Sequence, residues 1–255
     1  MIVPIPSNHQ RFQIALTIEA SAPCLLGIVV YDPTLPNTDY FRRKVNFTTP
    51  GTRELQILMP LSPKHCVLEL FNKHTGSDDG FKVVDFKVRP LPKQPVWGSP
   101  ARHRFMEFAF DFAQKAGYID TGFYDSPGHE FLFHYLPTIR DATGSEIITP
   151  ARIHREMPRV QLSQKMFRKY SIPIRVFVLS HEGCHYFLNT RSQTRADLCG
   201  LKYYLDYGFP RIEGVYAATQ IFAGHPQHVG TSQIQRTNDI IKFITQYEKS
   251  RKRYG

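Results

Sequence analysis

Several scarcities in this sequence are informative. In 255 residues there is a single tryptophan and there are four cysteines. Cys24, Cys66, Cys184 and Cys199 form no C-x-x-C pair and no regular spacing, so neither a disulfide framework nor a thiolate zinc site is expected. No apolar run approaches the roughly 20 residues of a membrane span. The stretch from Met1 to Gln10 lacks the basic start and long apolar segment of a secretory signal. Internal repeats and low-complexity tracts are also missing. Together these absences predict a soluble, unexported chain in a reducing compartment, where the Asn46-Phe47-Thr48 sequon carries no glycan.

Acidic residues are in deficit, with 22 Asp+Glu against 32 Lys+Arg and a formal net charge of +10. A chain that is 13% aromatic and 21% charged is not disordered by composition. Its length fits one large or two modest domains, each able to bury a core. The positive charge points to an acidic partner. It gathers in two places, Arg152, Arg155, Arg159, Lys165, Arg168 and Lys169 in mid-chain and Lys249 to Arg253 at the end. Such spread-out patches fit non-specific contact with DNA, or an acidic neighbouring subunit, better than sequence-specific recognition.

Residues 11 to about 90 read as all-β. Phe12 to Glu19 alternates apolar and polar residues, and Cys24 to Tyr31 is a buried-strand run stopped by Asp32-Pro33. Turn signals then alternate with Glu54 to Met59, Cys66 to Phe71 and Phe81 to Val88, a spacing that predicts a β-sandwich over residues 1–92. A proline-rich joint follows, running from Pro90 to Pro100. Beyond it, over 93–255, the period changes to a mixed α+β pattern. Phe105, Phe108, Ala109, Phe112, Ala113 and Ala116 share a helical face behind a Ser99-Pro100 start. Strand-like stretches are expected at Glu130 to Tyr135 and about Arg152 to Ser163. Helices are expected to about Leu188, from about Ser192 to Tyr207, and from about Thr231 into the basic tail.

The chemistry lies in Val178-Leu179-Ser180-His181-Glu182-Gly183-Cys184-His185-Tyr186-Phe187-Leu188-Asn189, which contains H-E-x-x-H inside an apolar helical pattern. Histidines at i and i+4 project from one helix face, so His181 and His185 can share one Zn²⁺. Glu182 can then serve as general base toward water activated by the metal. Burying two histidines and a glutamate in such a helix is costly unless something satisfies them. The strand Arg159, Val160, Gln161 and Leu162, just upstream, can form a sheet edge along which an extended peptide is held. Ser171 is a candidate cap for the motif helix. Gly200 would let a second helix approach it closely. Tyr203, Tyr204 and Tyr207 are candidate oxyanion donors, with core packing the stronger expectation. Cys184 and Cys199 read as small core residues.

The run from Pro158 through about Glu213 resembles the zincin metallopeptidases of the gluzincin type, and especially small zincin-like proteins encoded by crAss-like phages of Bacteroidetes. The resemblance rests on the H-E-x-x-H helix ending in Tyr186-Phe187-Leu188-Asn189, on Ala196-Asp197-Leu198-Cys199-Gly200-Leu201, and on Tyr204 through Glu213. It implies a zincin-like domain after the β-sandwich, with His181 and His185 as zinc ligands and Glu182 as catalytic base. Gluzincins with an E-x-x-A-D second helix use the glutamate four residues before the aspartate as third ligand, and the aspartate to support a ligand histidine. This chain has Gln193 at that ligand position and Asp197 at the supporting one. A neutral amide is a poorer ligand than a carboxylate. Asp197 itself, or His225 or His228, are the other candidates to complete the site.

Two functions from different classes follow. One is a zinc endopeptidase acting on a peptide or protein substrate. The other is a structural subunit of a phage virion neck or tail, made in the host cytoplasm, held in an oligomeric assembly and carrying a zincin module that has lost a ligand. No membrane partner is expected for either.

Overall fold

Phe12, Ile14, Leu16, Ile18 and Ala20 are all buried and the residues between them are half-exposed, the period-2 signature of a strand with one face on a core. That strand, β2 (Phe12–Ala20), is one of seven in a first compact unit, Met1–Pro95; a second unit spans Val96–Gly255. The computed structural model describes residues 1–92, 98–154, 156–221 and 231–252. The chain is mixed α+β, with several antiparallel pairings and six α-helices among the described residues.

In the first unit, β1 (Ile2–Ile5), β3 (Cys24–Asp32), β4 (Leu35–Phe47) and β6 (Cys66–Asn72) form one antiparallel sheet in the order β1-β6-β3-β4. Strands β5 (Gly51–Met59) and β7 (Phe81–Pro90) flank β2 in a second sheet. The expected strands are all present. Two were not foreseen, β1 and the 13-residue β4, in which Arg42, Arg43 and Lys44 interrupt the apolar alternation.

The second unit opens with α1 (Pro100–Lys115), whose first turn has Pro100 and whose cap, Ser99, accepts a hydrogen bond from the Arg102 amide. Strands β8 (Gly122–Asp125), β9 (Leu132–Leu136), β10 (Ala151–His154) and β11 (Arg159–Ser163) follow, ordered β10-β11-β9-β8. Strand β11 runs parallel to β9 and antiparallel to β10. The stretch read as one strand from Arg152 to Ser163 is therefore a hairpin. Its second strand is interior, so Arg159, Val160, Gln161 and Leu162 do not form the sheet edge; β10 does. A short α2 (Gln164–Phe167) leads to α3 (Ile172–Phe187), then α4 (Gln193–Tyr207), α5 (Arg211–Tyr216), a π-helical turn (Ala217–Ile221) and α6 (Thr231–Lys252). Among the described residues no helix is long and apolar enough to cross a membrane.

Helix α3 is the centre of this unit, and two glycines let its neighbours reach it. A Cβ on Gly183 would lie 2.4 Å from the Phe105 ring, which stacks edge-on with Phe131, Phe133 and Phe187. A Cβ on Gly200 would lie 2.9 Å from the His181 amide nitrogen, so α4 meets the α3 backbone directly. The fully buried Arg175 donates from Nε to the Phe167 carbonyl (2.8 Å) and from Nη1 to the Ala113 carbonyl (3.0 Å), tying α3 to the ends of α2 and α1. A bond between Cys184 and Cys199 joins α3 to α4, with Cα atoms 6.0 Å apart. This corrects the expectation that both cysteines are plain core residues. Their spacing in sequence carries no signal because the pairing depends on how closely two helices approach. Cys24 and Cys66 are free and buried.

The Gly200 contact yields a test. Alanine at position 200 would favour the helix by about 1 kcal/mol on propensity alone. Here it would force α4 away from α3, and the expected result in urea unfolding is a net loss of about 1–3 kcal/mol.

Candidate metal centre

Helix α3 is apolar on almost every side, and its polar residues Ser180, His181, Glu182 and His185 are all buried. Each buried polar group must find a partner. Asn189 adopts a left-handed conformation (φ 43°) just after the helix end, and the chain turns back on itself. The Thr190 amide then bonds the His185 carbonyl at 3.1 Å, and the Thr190 carbonyl lies 2.7 Å from His185 Nδ1. A carbonyl only accepts, so His185 carries a proton on Nδ1, and in the neutral tautomer Nε2 is left as the acceptor.

His181 is oriented from the opposite side. Its Nδ1 lies 2.9 Å from Asp197 Oδ1, at ion-pair distance though poorly aligned as a hydrogen bond. Asp197 in turn receives Nε and Nη2 of Arg236 from α6, the latter at 2.8 Å. All three side chains are buried. Burial by itself pushes the Asp197 carboxyl up, but His181 and Arg236 outweigh it and hold the group below its ordinary value. An ionised Asp197 keeps the His181 proton on Nδ1. Desolvation, only partly offset by Asp197, lowers the His181 pKa and leaves the ring neutral.

The two Nε2 atoms face each other at 3.1 Å, with donor and acceptor roles set by the ring tautomers. With both rings neutral and protonated on Nδ1, two lone pairs meet at that separation, and a cation between them removes the repulsion. Histidine ligands characteristically give their second nitrogen to a carboxylate or a backbone carbonyl, and both arrangements occur here. The pair fits two positions of a zinc site. Among the described residues no cluster of three or more His, Cys, Asp or Glu side chains completes it.

The other expected site residues divide clearly. Glu182 is buried, and burial raises its pKa to about 8, opposed by a hydrogen bond donated from the Ile153 amide of the edge strand β10. Asp197 is not placed as a ligand, because its oxygens are committed to His181 Nδ1 and Arg236. Gln193 stands one turn earlier on α4, in the first turn, with an exposed side chain. His225 and His228 lie outside the described residues. The tyrosines belong to packing: Tyr204 is fully buried and donates to the Pro210 carbonyl at 2.9 Å, Tyr203 accepts from Arg102 Nη1 at 3.0 Å, and Tyr207 packs on Phe110. Ser171 caps α3 by position, but its hydroxyl donates to Glu213 instead. Sequence reasoning missed Arg236, Thr190 and Ile153, of which two act through backbone groups that leave no trace in side-chain identity.

Removing one partner of a buried ion pair strands the other charge. Arg236→Ala is expected to lower unfolding free energy by about 3–5 kcal/mol in urea titration. Pairing it with Asp197→Leu should cost less than the sum of the single changes. Comparison with protein-family models, with curated proteins and with solved structures finds no match to this chain.

Proposed function

We propose that the second unit is a zincin-like domain that binds Zn²⁺ through His181 and His185 and hydrolyses peptide bonds, with Glu182 as general base. The observation that carries this reading is the convergence of His181 Nε2 and His185 Nε2 at 3.1 Å, with the Thr190 carbonyl against His185 Nδ1 and the Asp197 carboxylate 2.9 Å from His181 Nδ1. In this reading the two sheets of the first unit form a β-sandwich that selects the substrate or holds a neighbouring subunit.

His181 and His185 would hold the zinc ion, which when bound would supply Lewis acidity toward a carbonyl oxygen and a water. The chain's own residues do the rest. Glu182, ionised above its raised pKa of about 8, takes the proton from the attacking water and returns it to the leaving amine. Ile153, whose amide now bonds Glu182, belongs to β10, and a peptide adding to that free edge would be held by main-chain hydrogen bonds. Asp197 and Arg236 keep His181 in the ligating tautomer. Gln193, one turn before Asp197 on α4, is the candidate for a third position among the described residues.

A second reading is favoured by one observation, the exposed amide of Gln193 where a carboxylate ligand is expected. In it the domain is a rigid structural unit of a phage virion, with a zincin module that no longer turns over. Metal content and cleavage together distinguish the two. The hydrolase reading predicts about one zinc per chain after purification, lost in the His181→Ala and His185→Ala variants. Glu182→Gln is expected to keep the metal and lose peptide cleavage by at least about 100-fold. Zinc binding without cleavage in the native protein would favour the structural reading, and absence of zinc would sink the metal centre altogether.

A further inference from the structure

The four-stranded sheet of the second unit has two unlike faces. Phe133, Tyr135, Val160 and Leu162 are buried on one side, where Phe133 and Tyr135 meet the Phe112 ring of α1. With period 2, the intervening residues line the other side. Register places Phe123, His134, Gln161 and Arg152 in a single row across β8, β9, β11 and β10. The Phe123 ring stacks on the His134 ring at 4.0 Å between centroids and 18° between planes, yet is 68% exposed. Gln161 Oε1 accepts from Arg152 Nε at 2.6 Å, and Arg152 Nη2 bonds the Arg140 carbonyl at 3.2 Å, so the guanidinium is held rather than free to wander. The next row runs Asp125, Leu132, Arg159 and His154, with Arg159 and His154 exposed.

We propose that this face is a binding platform for single-stranded nucleic acid. A large aromatic ring left mostly in water, already stacked and therefore oriented, offers a π-face to an unpaired base. Three strand spacings, about 14 Å, separate Phe123 from the Arg152 edge of the row. RNA-recognition domains stack two or three bases on the aromatics of a four-stranded sheet. Arg152 and Arg159 provide two cations on the face against one carboxylate, Asp125, whose side chain lies 3.5 Å from His129. A duplex does not fit the same chemistry, because its bases are already stacked and paired. The platform lies on the face of the sheet opposite the one that Phe133 and Tyr135 turn to α1, and it shares strand β10 with the edge proposed for a peptide.

Fluorescence anisotropy of a labelled oligodeoxythymidine of about 12 nucleotides, titrated with the full chain at about 50 mM salt, tests the assignment. Binding is expected, weakened about 5- to 100-fold by Phe123→Ala and retained by Phe123→Trp. The double variant Arg152→Ala with Arg159→Ala should also lower the salt dependence by about 0.7 in log–log slope per lost phosphate contact. Lys87→Ala, on the first unit, should leave affinity unchanged. Because Phe123 is exposed, its variants should keep the native unfolding temperature, which is measured alongside. The proposal is overturned by no binding, by Phe123→Ala binding as the native chain does, or by equal affinity for a duplex of the same sequence.

Discussion

The second unit depends on the fate of one buried charge. Asp197 lies in the interior, and an isolated carboxylate there would cost several kcal/mol. It is stabilised from two sides, by His181 on α3 and by Arg236 on α6, so three helices are tied together at a single side chain. The same contacts hold the His181 proton on Nδ1 and turn its Nε2 toward His185. The contacts that satisfy the buried carboxylate are thus the ones that orient the His181 ring.

The packing around α3 serves that geometry. Gly183 admits Phe105 of α1 and Gly200 admits the backbone of α4, while the Cys184–Cys199 bond and Arg175 hold α3 to its neighbours. Asn189 and Thr190 contribute from beyond the helix end, where a left-handed residue directs a carbonyl back at His185. Interiors packed this closely do not deform smoothly, so small side chains at 183 and 200 matter to the placing of the two histidines. The free edge of β10 lies beside this arrangement, since its Ile153 amide bonds Glu182.

Much of this was legible in the residues because it is periodic and local. The H-E-x-x-H helix, its capping position at Ser171, the second helix and the alternation of β2 follow from spacing alone. The role of Gly200 was also readable. What could not be read depends on pairings across long stretches of chain. Strand order is invisible in a single sequence, so the apolar pattern of β11 does not reveal that β10 lies outside it. Arg236 lies 39 residues from Asp197, with nothing local to mark it among 32 basic residues. The Cys184–Cys199 bond likewise arises from the α3–α4 contact, and the Thr190 carbonyl from backbone geometry.

The central claim is that a metal ion belongs between the two Nε2 atoms. A crystal of the full chain grown with zinc, with anomalous scattering recorded above and below the zinc edge, addresses it directly. The account predicts an anomalous peak about 2.0–2.1 Å from both His181 Nε2 and His185 Nε2. A well-ordered histidine pair with no anomalous density between the rings would contradict it.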